Sequence, residues 1–520
     1  MAPSTWVSIS QGCLRFTGSR GQALGVRHKA SATYALCLTP YPFFPYFCLL
    51  KMKFTCLFFI LVFPLVHSAS GARMHEGHDI RIRIKGLKKG DVARIGYYYG
   101  PNRCITQDSA MADSRGWFWF KGDKNLPEGV YTCTFPKGYF DFLITSQSFI
   151  LETDTNNIDL DMKVKGSEEN SIFFQYHKYT VTLGRRADSI YKIISKSKNK
   201  DSIKVLKNKI YAMNGAIDSF RSAFMARHPN SFSTKLLHSV LSPHVPDTPI
   251  LPNGRKDSTF PYRYYKQHYF DNIDFSDGRI SRTPFFEAKL KDYFKDLVIP
   301  VPDSINNDAD ALIEKAKASG DMFRYVLDWI VNYYDASDYM GMDAVTSHLI
   351  EKYFLTGQAK WVTPTQITGM RKRDSVVSRL LIGKTAPDLY MTDSNGKVIT
   401  LYSLHHKYTI LFFFESTCGH CQHVTPVLHE FYEKNKSKLD LEVYAATVEN
   451  ESKDWKEFIR EKGIGDWVNV WDSRGEIDFA RLYDVTSYPV IYILDQDKKI
   501  IGKHLDVSRL QDFFDRREKK

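Results

Sequence analysis

Cysteine is scarce in this chain, and the scarcity narrows its chemistry. Eight cysteines are spread over 520 residues, and only Cys104, Cys133, Cys418 and Cys421 lie beyond residue 72. There is one C-x-x-C and no second one, which argues against a four-ligand structural zinc site. Gln422 follows Cys421, so the C-x-x-C-H that anchors a c-type haem is missing. The chain also lacks a basic stripe with interleaved aromatics. Its formal charge is +12, but Lys and Arg are dispersed among Asp and Glu, as on a solvated surface, and no nucleic-acid partner is expected. No internal repeat is present. The apolar run Phe54–Val66 has 13 residues, too few for an ordinary membrane span.

What is present is apolar and aromatic. Hydrophobic residues make up 43% and aromatics 14%, with 30 Tyr and 35 Phe, so folded cores are expected over disorder. The length suggests about three or four domains. Residues 1–51 have no amphipathic period, and Tyr41-Pro42-Phe43-Phe44-Pro45 would break a helix; they read as an over-extended start or a disordered lead. A second start, Met52, opens a secretory layout over 52–72: Lys53, the apolar run, then Ser68, Ala69, Ser70, Gly71 and Ala72. Export would place the remaining cysteines in an oxidising or mixed-redox compartment. Cys104 and Cys133 then read either as a bridge or as two buried free thiols.

Three textures follow. Residues 75–165 are β-rich: Ile80-Arg81-Ile82-Arg83-Ile84 alternates with period 2, and Trp117–Phe120, Val130–Phe135 and Tyr139–Thr145 are separated by turn formers. A small antiparallel sandwich is expected, without a Ser/His/Asp set or a Gly-rich phosphate loop. Residues 170–375 read as helical, with apolar 3- and 4-spacing over Ser189–Met213 and Asp321–Tyr334. Between these blocks, His268 and Asp271 could be imagined as ligands, but packing or surface roles are expected. Over 383–520, short apolar strands alternate with amphipathic helices: Tyr408–Glu415, Leu441–Val448, Val490–Leu494 and Ile500–His504 as strands, and helices from Cys421, Trp455, Ile477 and Val507. This is an α/β domain with a central sheet.

The chemistry concentrates in Phe412-Phe413-Phe414-Glu415-Ser416-Thr417-Cys418-Gly419-His420-Cys421-Gln422-His423. A peroxide-reducing cysteine of the peroxiredoxin type wants Thr three residues earlier, where Glu415 stands. A metal chaperone using Cys418, Cys421 and His423 is an alternative. A redox pair fits best. A buried strand ends at Glu415, and Cys418 then meets the N-terminus of a helix, where orphan N–H groups and the dipole favour a thiolate. Cys421 lies one turn on, close enough for a disulfide but more buried. Cys418 is therefore the attacking thiol and Cys421 the resolving one. His420 is placed to favour the Cys418 thiolate and make the disulfide more oxidising. Pro489 opens a strand, which suggests a cis bond after Tyr488 whose backbone would pair with a substrate strand.

Together these residues resemble the thioredoxin superfamily, specifically the secreted TlpA/ResA-like thiol–disulfide oxidoreductases, with extra N-terminal domains. The resemblance covers 383–520. It rests on Gly383-Lys384-Thr385-Ala386-Pro387-Asp388-Leu389, the hairpin at Asp393–Lys397, the FFFESTCGHC segment, Pro426 and Tyr488-Pro489. It implies a four-stranded sheet flanked by helices, a periplasmic or cell-envelope location, no cofactor and no metal. It also implies dithiol–disulfide exchange with exported protein thiols and disulfides, with a membrane-bound electron donor. A reductase is the leading direction; Gly-His between the cysteines is also the dipeptide of protein disulfide isomerases, so isomerase or oxidase is the alternative. This sequence departs from the family at two carboxylates. Val424 replaces a Glu three residues after the second Cys, and Phe412 replaces the buried Asp six before the first. Glu415, at the end of the strand, reads as either the substitute proton acceptor or a surface residue. The bulky Tyr488 is expected to narrow the substrate groove.

Overall fold

The computed structural model describes residues 77–100, 103–447, 449 and 452–519; the expected leader at 52–72 and the segment 1–51 lie outside them. The chain forms two compact units. One runs through Leu241 and includes Arg282–Pro284; the other comprises Ser242–Ser281 and Phe285–Lys520.

In the first unit eight strands form two four-stranded sheets. One has the order β4-β1-β7-β8 and the other β3-β2-β5-β6. The strands are β1 (His78–Lys85), β2 (Val92–Tyr98), β3 (Cys104–Met111), β4 (Trp117–Gly122), β5 (Gly129–Phe135), β6 (Gly138–Ile144), β7 (Ser148–Asp154) and β8 (Lys163–Lys165). The isoleucines of β1 are fully buried while Arg81 and Arg83 point outward, as their alternation requires. The sheets meet through aromatics such as Phe142 and Phe149, whose ring centres lie 6.1 Å apart. One pairing departs from an antiparallel sandwich: β1 and β7 run parallel.

A Cys104–Cys133 bridge is corrected by this topology. Cys104 lies on β3 and Cys133 on β5, with β2 between them, and both are free. Two inter-strand spacings are about 10 Å, beyond what a disulfide spans. Three helices complete the unit: α1 (Glu168–Lys196), α2 (Lys200–Arg227) and α3 (Phe232–Ser239). The helical pattern over Ser189–Met213 is broken at Ser197–Asn199, because the Asn199 side chain accepts from the N–H groups of Asp201 and Ser202 and starts a new helix.

In the second unit, helices α4 (Phe260–His268), α5 (Phe286–Asp292), α6 (Pro302–Ala316), α7 (Gly320–Asp335), α8 (Asp343–Leu349) and α9 (Pro364–Val377) precede an α/β domain. Its sheet has seven strands rather than four, in the order β10-β9-β13-β12-β11-β14-β15. These are β9 (Tyr390–Thr392), β10 (Val398–Thr400), β11 (Tyr408–Phe413), β12 (Leu441–Thr447), β13 (Val468–Trp471), β14 (Val490–Asp495) and β15 (Ile500–Lys503). The extra strands are the family-like hairpin and the four-residue β13. Helices α10 (Gly419–Leu439), α11 (Ser452–Lys462), α12 (Phe479–Tyr483) and α13 (Leu510–Arg517) surround it.

A buried lysine ties the helical segment to this domain. The Lys503 ammonium at the end of β15 pairs with the Asp343 carboxylate and donates to the Leu380 carbonyl at 2.8 Å. Its side chain is 7% exposed. Replacing Lys503 with Met is expected to destabilise the chain by on the order of 3 kcal/mol, because Asp343 loses its counter-charge; urea unfolding of the two proteins measures it. A second expectation concerns the first unit. After denaturation without reductant, Cys104 and Cys133 should both take up a thiol reagent, as read by mass.

Candidate redox site

The site is built by strand register. Every residue of β11 is buried, and its last residue, Phe413, faces Ala446 of the parallel β12 on one side and Val490 of the antiparallel β14 on the other. The turn leaving β11 is therefore set beside the residues entering β14. Those are Tyr488 and Pro489, joined by a cis peptide bond.

Cys418 is the N-cap of α10. Its sulfur accepts the Cys421 N–H at 3.3 Å, and its thiol donates to the Tyr488 carbonyl at 3.5 Å. Cys418 is partly exposed, whereas Cys421, one turn into the helix, is fully buried. Burial, reinforced by the adjacent Cys418 sulfur, pushes the Cys421 thiol up to about 12, and the Glu415 charge adds to the effect. The two thiols thus differ in access and in the environment of their protons. The Tyr488 hydroxyl is likewise pushed up to about 12, by burial first and then by Glu415 and Cys421.

The remaining sequence-selected residues fall around this pair. Glu415 is half-buried and close enough to bear electrostatically on both Cys421 and Tyr488. His420 is exposed, and its charge lowers the carboxyl of Asp506, after that carboxyl's own hydrogen bonds to Ser508. Pro426 lies inside α10. His423 is exposed and does not join the cysteines in a ligand group. Among the described residues, the group with metal-ligand spacing is instead His429, Glu433 and Asp466, where Lys436 already pairs with both carboxylates. His268 and Asp271 simply pair with each other at 2.6 Å on the surface.

Sequence reasoning missed a clamp on the approach to Cys418. The Ser416 N–H donates to the Glu449 carboxylate, and the Ser416 carbonyl accepts from the Gln422 side chain at 2.6 Å. Gln422 is adjacent to the C-x-x-C and was available to sequence inspection. Glu449 lies in the loop after β12, and no local pattern marks it.

Residues 382–503 match the AhpC/TSA family, and residues 225–379 match a domain of unknown function, DUF5106. Thiol-disulfide oxidoreductase ResA of Bacillus thuringiensis subsp. konkukian is 31% identical over 123 residues, covering 24% of this chain and 69% of that protein. A solved domain of a "possible thiol-disulfide isomerase" from Cytophaga hutchinsonii is 48% identical, covering 27% of this chain and 96% of that one, with a TM-score of 0.26. A thioredoxin-like protein from Bacteroides caccae is 20% identical, covering 52% and 98%, with a TM-score of 0.42. Through its C-terminal thioredoxin-like domain, the chain belongs to the ResA-type thiol–disulfide oxidoreductases. It is an oxidoreductase with a DUF5106 region upstream.

The asymmetry of the two thiols has a direct readout. In the reduced native chain at pH 7, iodoacetamide should modify Cys418 and spare Cys421, because Cys421 is buried and stays protonated. The sign for stability follows from the same shift. The raised Cys421 thiol favours the folded, reduced form at pH values below the ordinary cysteine range of about 8.5, and this is lost as pH rises toward about 12. Equal labelling of the two cysteines at pH 7 would contradict the assignment.

Proposed function

We propose that this protein is exported and exchanges disulfides with other exported proteins through Cys418 and Cys421. The observation that carries the reading is the position of Cys418. Its sulfur caps a helix, holds the Cys421 N–H, and lies against the Tyr488 carbonyl. A thiolate there is stabilised by the helix N-terminus.

In the reducing direction, the Cys418 thiolate attacks one sulfur of a substrate disulfide. A mixed disulfide forms, and the displaced substrate sulfur takes a proton. Cys421 then gives up its proton and attacks Cys418. This releases the second substrate thiol and leaves a Cys418–Cys421 disulfide. Two electrons have passed to the substrate, and a membrane-bound dithiol donor restores the pair. Glu415 is the proton acceptor for Cys421, since neither Phe412 nor Val424 can serve. Tyr488 and Pro489 offer the backbone edge against which the substrate strand lies. The layout from Met52 to Ala72 supports export. Among the described residues no helix is long and apolar enough to cross a membrane.

His420 between the cysteines supports the second reading, an isomerase or oxidase of the same fold. Reduction potential separates the two. A value near that of thioredoxin, about −270 mV, is expected for the reductase; one near about −180 mV selects the isomerase or oxidase. The Cys421→Ser protein should accumulate covalent, reductant-sensitive adducts with substrate proteins, and Cys418→Ser should form none. Absence of adducts together with absence of disulfide turnover by the parent would sink the proposal.

A further inference from the structure

A cleft of about 920 Å³ opens in the second unit between the helical segment and the thioredoxin-like domain. The exchange chemistry above does not use it. One wall is the loop between α7 and α8, including Asp338, Tyr339 and Met340; the other is the end of β15 and the face of α13, including Leu505, Phe513 and Arg516.

One lining residue, Asp506, feels the charge of His420, which stands between the two cysteines. The His504 N–H bonds to the Ile491 carbonyl at 2.8 Å, which ties the start of the wall at 504–506 to β14, the strand that Pro489 leads into. Leu505 and Phe513 pack on the same apolar cluster as Cys418 and Tyr488. The opposite wall is held in place. Besides the Lys503–Asp343 pair, the Lys503 N–H donates to the Met340 sulfur at 3.4 Å. Tyr339, on this wall, is 79% exposed.

The lining indicates what would fit. Asp338 on one wall and Arg516 on the other have no ion-pair partner among the described residues. The lining also carries apolar side chains, among them Met340, Leu505 and Phe513. A polyanion would be repelled by the acidic wall, and a purely apolar ligand would leave both charges unmatched. A polypeptide carries amides, apolar groups and both charges.

We infer that this cleft seats the polypeptide segment flanking the reacting cysteine of a protein substrate, with the helical segment supplying one wall. The inference rests on the redox reading above. It makes the helical segment a selector of substrates and leaves the thiol chemistry to the thioredoxin-like domain.

The test uses the full chain with two oxidised substrates, insulin and bis(2-hydroxyethyl) disulfide. Tyr339→Ser and, separately, Arg516→Glu change exposed side chains outside the thiol site. Each should lower kcat/KM for insulin at least fivefold, through KM, and leave the small disulfide at the parental rate. Unchanged insulin kinetics in both folded variants, or equal losses on both substrates, overturns the inference. If one variant misfolds, the other decides. A parent that reduces the small disulfide but not insulin also overturns the cleft reading. A parent that reduces neither overturns the redox reading beneath it.

Discussion

The register of β11 governs the site. Its side chains alternate between two apolar cores: Ile410 and Phe412 enter one, Leu411 and Phe413 the other. A slip of one residue would exchange the cores and move Phe413 away from both Ala446 and Val490. The turn carrying Cys418 would then lose its alignment with Tyr488 and Pro489. The apolar run that makes this strand so strongly specified is also what aims Cys418, the nucleophile of the proposed exchange.

That specification has a chemical consequence. Phe412 stacks on Phe414 at 5.4 Å and meets Trp467 edge-on at 6.1 Å, so the space behind the cysteines is aromatic. An ionised side chain there would be costly without a partner. The carboxylates near the pair come instead from the loops, Glu415 after β11 and Glu449 after β12. The core thus favours a protonated Cys421; in the proposed mechanism it is the mixed disulfide that creates the demand for its thiolate.

The parts legible in the sequence were those with a local period. The alternation of Ile80, Ile82 and Ile84, the buried strand before Cys418 and the helix from the C-x-x-C onward all rest on residues within a few positions of one another. The cis bond at Pro489 was legible for the same reason. What was hidden joins distant positions. The parallel pairing of β1 with β7, the Lys503–Asp343 pair and the contact of Glu449 with Ser416 leave no repeat in the chain. The break at Asn199 was hidden differently: it falls in a polar run whose composition suits a helix surface as well as a cap.

The two loop carboxylates are not equivalent, and the difference bears on which one serves Cys421 in the proposed mechanism. Glu449 accepts from the Ser416 N–H, a bond that holds the turn. Protonating it would weaken the clamp on the approach to Cys418 at the moment Cys421 must attack. The Glu415 carboxylate makes no hydrogen bond or ion pair with a described residue, yet its charge reaches Cys421. It can take up a proton without releasing the turn. On this argument Glu449 holds the geometry and Glu415 handles the proton, a division that keeps the Cys418 sulfur fixed on the Tyr488 carbonyl while the proton on Cys421 leaves.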